Sequence, residues 1–172
     1  MLPWLADYPG NPSGAHREAR RARRALDDAR DSVAALVGAD PGNVVFTSGG
    51  TESDNLAVDG VLRATGGLAV CPATEHPAVL EPVRDSGGVV VPTDTAGRFD
   101  PDALADMLDA LADIALVSVM TANNETGVVN DVGAVAEIVT AYAPGAVVHT
   151  DAVQATAWLD LADACRGADL VS

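Results

Sequence analysis

The 172-residue sequence predicts an α/β fold: a mainly parallel sheet sandwiched by helices. Three observations point there. Short apolar runs alternate with longer stretches whose apolar residues recur every three or four positions. The run from Ile114 to Met120 is near-continuous, as a central strand buried on both faces requires. Polar clusters follow the runs, and in open α/β sheets the edge beyond the strand carboxyl ends is where ligands bind.

The elements follow in order. Residues 1–14, with Pro3, Pro9-Gly10 and Pro12, read as a loop, and Ser13 or a neighbour caps what comes next. Ala15, Ala19, Ala22, Leu26, Ala29, Val33 and Leu36 form one face of a long helix that Gly38 ends. Arg17, Arg20, Arg21, Arg23 and Arg24 fall mainly on its other faces. Asp27, Asp28 and Asp31 sit one turn on, so a self-paired, solvated surface is expected. Val44 to Thr47 reads as a short buried strand, followed by a helix carrying Leu56, Val61 and Leu62. Leu68 to Cys71 is a second strand. Pro77 then opens a helix with Val79, Leu80 and Val83, which Pro82 kinks or shortens. Val89 to Val91 is a third strand. Asp100-Pro101 opens a helix with Leu104, Leu108 and Leu111 on one face. After the Ile114 strand, Asn130-Asp131 caps a helix with Val132, Val135, Val139 and Tyr142 inward. Val147-Val148 leads a further strand into the polar tip His149 to Gln154. Leu161 to Cys165 is a short helix or turn, and Ala168 to Ser172 begins another strand.

Composition sets limits. A chain of this length forms one domain that buries roughly 70% of its unfolded surface. Hydrophobic residues make up 48% but aromatics only 3%, so the core is built from Ala, Val and Leu. A net charge of −15 argues against a nucleic-acid groove, which needs a basic stripe. No apolar run approaches the ~20 residues of a membrane span, and no signal peptide is evident. Cys71 and Cys165 fit no metal spacing and read as reduced core thiols of a cytoplasmic protein. All ten basic residues are arginine. Arginine stays protonated, so it supplies no amine for a Schiff base.

Four polar clusters are expected at one sheet edge. Ser48 to Ser53 joins a glycine turn to a helix start, either a phosphate cradle or a tight turn with a Ser/Thr cap. It lacks the lysine of a nucleotide-triphosphate loop. His76 sits at a strand-to-helix corner, as a cap or a site residue. Asn123-Asn124-Glu125 is turn chemistry or ligand contact. Asp151 is a negative charge in a mostly apolar wall and needs a cationic partner. Together they suit one ligand with a phosphate end and a cationic ring.

Residues 11–16 (NPSGAH), 46–53 (FTSGGTES), 74–76 (TEH), 122–127 (ANNETG) and 151–154 (DAVQ) resemble the class V aminotransferase family. More closely, they are similar to its cysteine desulfurases of iron–sulfur cluster assembly and nitrogen fixation. The resemblance implies the large domain of fold-type I pyridoxal 5′-phosphate enzymes. It implies that Gly50 and Thr51 hold the cofactor phosphate and that His76 stacks on the ring and moves protons. Asn124 and Gln154 would lie at the ring and its phenolic oxygen, and Asp151 would pair with the ring nitrogen. The implied reaction takes sulfur from L-cysteine, leaving alanine and an enzyme persulfide. A homodimer and a sulfur-accepting scaffold protein are the implied partners.

The family's Schiff-base lysine follows an Asp-Leu-x-Ser segment, which here is Asp169 to Ser172. Cys71 and Cys165 do not match its sulfur-accepting cysteine. The expectation is therefore that residues 1–172 are a partial large domain, without the first strand, the lysine, that cysteine and the small C-terminal domain. Other class V enzymes, kynureninase-like or of the phosphoserine aminotransferase type, and a non-catalytic module are the alternatives.

Overall fold

A computed structural model describes residues 2–7 and 10–172, with Leu5 described by its backbone alone. Met1 and the Pro9 of the expected opening loop lie outside the described residues. The chain divides into two units, residues 1–46 and 47–172.

In the first unit, Leu2–Ala6 forms a short helix, α1, where a loop was expected. The long helix α2 spans Arg17–Val37. His16 caps it, its Nδ1 accepting from the Ala19 N–H at 3.3 Å. Gly38 closes it in the left-handed conformation, φ 68°, which a residue with a Cβ adopts at a cost. The arginine-rich surface is self-paired in part: Asp27 accepts from Arg23 at 3.1 Å and lies 3.8 Å from Arg30. Arg30 also donates to the Val44 carbonyl and lies over the Phe46 ring, 5.1 Å from its centroid.

One expected strand is absent. Val44 to Phe46 form no ladder, and Val45 and Phe46 are exposed. Val44 has extended dihedrals, φ −81° and ψ 125°. Extended backbone becomes a strand only when a neighbouring strand accepts and donates its hydrogen bonds, and among the described residues the Val44 carbonyl and N–H are served by the Arg30 side chain and the Pro41 carbonyl instead.

The second unit holds a five-stranded parallel sheet: β1 Leu68–Pro72, β2 Val89–Val91, β3 Ile114–Ser118, β4 Val147–Thr150 and β5 Leu170–Val171. The order is β2-β1-β3-β4-β5, which puts the apolar run at Ile114 in the centre. Side chains alternate between faces. Val70, Val117 and Val148 pack with Leu104 and Leu108 of α5 (Pro101–Ala110) and Val135 and Val139 of α6 (Val132–Tyr142). On the other face, Ala69, Cys71 and Leu116 pack with Val58 of α3 (Gly50–Thr65) and Val79 and Val83 of α4 (Pro77–Asp85). Asp131 caps α6, as read, and α7 is the single turn Leu161–Ala164. Both cysteines are buried, and burial raises the Cys71 thiol to about 12.

Pro82 lies within the nine-residue α4 and has no N–H for the Ala78 carbonyl. The Asn55 side chain of α3 donates to that carbonyl instead, at 3.1 Å. The proline thus creates the acceptor that ties α3 to α4. Because the strands are parallel, the loops after β1, β3 and β4 emerge at one edge.

Candidate functional site

Three hydrogen bonds stitch those loops together. Asn123 Nδ2 donates to the Thr74 carbonyl at 2.7 Å, joining the β3 and β1 loops. The Met120 N–H donates to Glu75 Oε1, also between them. The Thr121 N–H donates to the Asp151 carbonyl at 2.9 Å, joining the β3 and β4 loops. Asn123 further accepts from the Glu125 and Thr126 N–H groups, which closes the ANNETG turn.

Asp151 is 5% exposed. Its Oδ1 accepts from the Val153 N–H at 2.9 Å, so the carboxylate and the turn after it are held as one piece. No arginine pairs with it among the described residues. The same turn presses on the glycine corner. A Cβ built on Gly50 would lie 2.8 Å from Val153 Cγ2, whereas around Gly49 the space is open. Gly49 is the N-cap of α3 and has no side chain to satisfy the first backbone N–H groups. Sixteen residues of helix end there with their positive pole and free donors at the surface. Thr51 is exposed at this end.

His76 is half-buried and caps α4, its Nδ1 accepting from the Ala78 N–H at 3.1 Å. A neutral ring therefore carries its proton on Nε2. Asn124 and Gln154 are exposed, and neither side chain hydrogen-bonds to a described residue. The glycine corner and the Asp151 turn are thus in contact, His76 stands within electrostatic range of Asp54 beside them, and Asn124 and Gln154 are exposed on the loops after β3 and β4.

Three buried residues at this edge have no role assigned from the sequence: Asp54, Glu75 and His149, the last read as part of the polar tip but lying within β4. Asp54 of α3 is 1% exposed and its Oδ1 has no hydrogen-bond partner. Burial first, then the charge of Asp151, raises its carboxyl to about 6, against the opposing pull of Ser172 and His76. Glu75 has one partner, the Met120 N–H, and an unpartnered Oε2. Burial, then Asp151 and Asp54, raises it to about 8. The edge therefore holds three acidic groups in mutual electrostatic contact with no fixed cation among them.

His149 lies under α3, completely buried, between the Ser118 hydroxyl at 2.8 Å and the Ser172 hydroxyl at 2.9 Å. Its Nε2 is 3.8 Å from Asp54 Oδ1. Burial lowers it to about 4, so at neutral pH the ring is uncharged and the contact is dipolar rather than ionic. The signal for these residues is positional. Asp54 precedes Val58 by one helical turn on the inward stripe, and His149 shares the face of Val147.

The sequence profile of the family described as "Aminotransferase class-V" matches residues 1–171. The chain belongs to that family. A cysteine desulfurase IscS from Dictyoglomus turgidum is 37% identical over 180 residues, covering 100% of this chain and 45% of the relative. A cysteine desulfurase from Sinorhizobium fredii is 42% identical over 182 residues, with 100% and 46% covered. The solved NifS-like protein from Rickettsia africae superposes with a TM-score of 0.86 at 28% identity, over 98% of this chain and 48% of that one. The chain thus spans about half the length of the class V relatives it matches. No helix among the described residues is long and apolar enough to cross a membrane.

Proposed function

We propose that this chain contributes the cofactor edge of a pyridoxal 5′-phosphate-dependent cysteine desulfurase. The observation that carries the reading is Asp151: a buried carboxylate with a backbone N–H as its partner and no arginine, on a turn that packs against the glycine corner. A buried anion without a counter-charge is costly. A cationic ring would supply the counter-charge, and a phosphate on the same molecule would suit the free N–H groups at the start of α3. Similarity to relatives named cysteine desulfurases supports the substrate class.

The residues present fit the cofactor. Gly50 and Thr51 would hold its phosphate, with Gly49 leaving open space for close approach. Asp151 would pair with the ring nitrogen, His76 would lie against the ring, and Gln154 and Asn124 would reach its oxygen. When bound, pyridoxal 5′-phosphate supplies an electron sink that works only with its ring nitrogen protonated. Asp151 would keep that proton in place. An opposite charge at ~4 Å in an effective dielectric of ~20 contributes about 4 kcal/mol, which corresponds to ~3 pKa units at about 1.4 kcal/mol each. His76, with Nδ1 engaged by α4, offers Nε2 for proton exchange with substrate. The Schiff-base amine and the sulfur-accepting thiol are roles for residues other than these, since the chain has no lysine and both cysteines are buried.

The proposal extends to L-cysteine as substrate, a homodimer, a sulfur-accepting scaffold protein and a cytoplasmic setting. The test is a chimera in which this chain is completed with the remaining segments of the Dictyoglomus turgidum relative. It should release alanine from L-cysteine and pass sulfur to a thiol acceptor, while the 172-residue chain alone should release none. A soluble, cofactor-loaded chimera that prefers kynurenine or phosphoserine over L-cysteine would refute the reading.

A further inference from the structure

Asp54 has no place in the roles above, yet it is the least exposed acid of the cluster. Several charged or titratable groups face it. Glu75 and His76 come from the β1–α4 turn, and His149 and Asp151 from the end of β4. The Ser172 hydroxyl favours its ionised form, against burial and the charge of Asp151. Its Oδ1 has no hydrogen-bond donor, so the buried carboxylate form is poorly supported. His149 is 3.8 Å away but uncharged at neutral pH and already placed between two serine hydroxyls. The largest removable influence on Asp54 is the negative charge of Asp151.

We propose that Asp54 is a proton-linked positioning residue: partly protonated in the ligand-free protein at mildly acid pH, it gives that proton to solvent when a cationic ring docks on Asp151. The balance is simple. One O–H bond of the Asp54 carboxyl breaks, the electron pair stays on the carboxylate, and the proton leaves to buffer. Docking neutralises the Asp151 charge that opposed this ionisation and places a positive charge within range of both carboxylates. The ionised Asp54 then adds to the field that holds the ring and its proton, acting through Asp151. Glu75 is poised at a higher pH, about 8, so it holds its proton through the range in which Asp54 titrates.

The inference rests on the reading that a cationic ring binds at Asp151, and the test separates the two. The probe is pyridoxamine 5′-phosphate, which has the ring and phosphate and needs no Schiff-base lysine. Titration calorimetry at pH 6, in buffers of different ionisation enthalpy, gives affinity and proton count together. A group half protonated near pH 6 and ionised in the complex releases about half a proton more in the parent than in Asp54→Asn. The parent's affinity also falls about tenfold more steeply than the variant's between pH 7 and pH 5. Infrared difference spectra of the parent should show loss of a protonated-carboxyl band on binding, a readout that needs no variant. Binding with equal proton counts in parent and variant, or with no band lost, overturns the role of Asp54 alone. Absence of binding overturns both the role and the reading beneath it.

Discussion

Glu75→Gln should flatten the decline of stability between pH 5 and pH 8. The parent carboxyl is 5% exposed, with Oε2 unpartnered, and burial with the charges of Asp151 and Asp54 raises it from 4.5 to about 8. Below pH 4.5 it is protonated in both folded and unfolded chains and contributes no pH dependence. Between 4.5 and 8 only the unfolded chain has lost the proton, so stability falls by about 1.4 kcal/mol per pH unit. The contribution is thus fully present at acid pH and is lost as the pH rises through the folded-state value. Over the window the loss is on the order of 4 kcal/mol, a large share of a domain's ~5–15 kcal/mol. Glutamine keeps the oxygen that accepts from the Met120 N–H and has no proton to lose. Its unpaired amide shifts the whole curve by about 1–3 kcal/mol but does not tilt it. Urea unfolding of parent and variant at pH 5, 6, 7 and 8 reads the difference. Parallel curves would refute the claim that Glu75 is buried in its neutral form.

Gly50→Ala brings a methyl to within 2.8 Å of Val153 Cγ2 and should displace the Asp151 turn, weakening pyridoxamine 5′-phosphate binding about tenfold, or ~1.4 kcal/mol. Val153→Ala in the same chain should restore most of the affinity, and a double variant as weak as the single one would exclude this contact as the cause. Asn55→Ala removes the donor to the Ala78 carbonyl that Pro82 leaves open and should cost about 1–2 kcal/mol in urea unfolding. An unchanged midpoint would show that water serves that carbonyl equally well.

Most of the sheet was legible because its signals are local. The valines at 89–91 and 147–148, the near-continuous run at 114–120, the helix-opening Pro77 and the caps at Asp100 and Asp131 each declare an element within a few residues. Val44 to Thr47 carried the same local signal and forms no strand, because a ladder needs a neighbour that no local pattern specifies. At the candidate site, the motifs single out Gly50 and Asp151, and the contact through Val153 joins their two turns. Asp54 and Glu75 were not legible, since an acid in the first turns of a helix or beside a histidine reads as a cap or a solvated charge. Only packing reveals that both lie under the same edge with oxygens lacking donors. Asn123, passed over for Asn124, proves to be the residue that closes its turn.

The pairing of Asp151 with a protonated ring is tested most directly by nitrogen NMR of ring-labelled pyridoxamine 5′-phosphate on the parent and on Asp151→Asn. In the parent the ring nitrogen should stay protonated ~3 pH units above its value in free solution, and in the variant it should titrate as it does in water while affinity falls. A ring nitrogen that titrates alike in both proteins, at the free-solution value, would contradict the account.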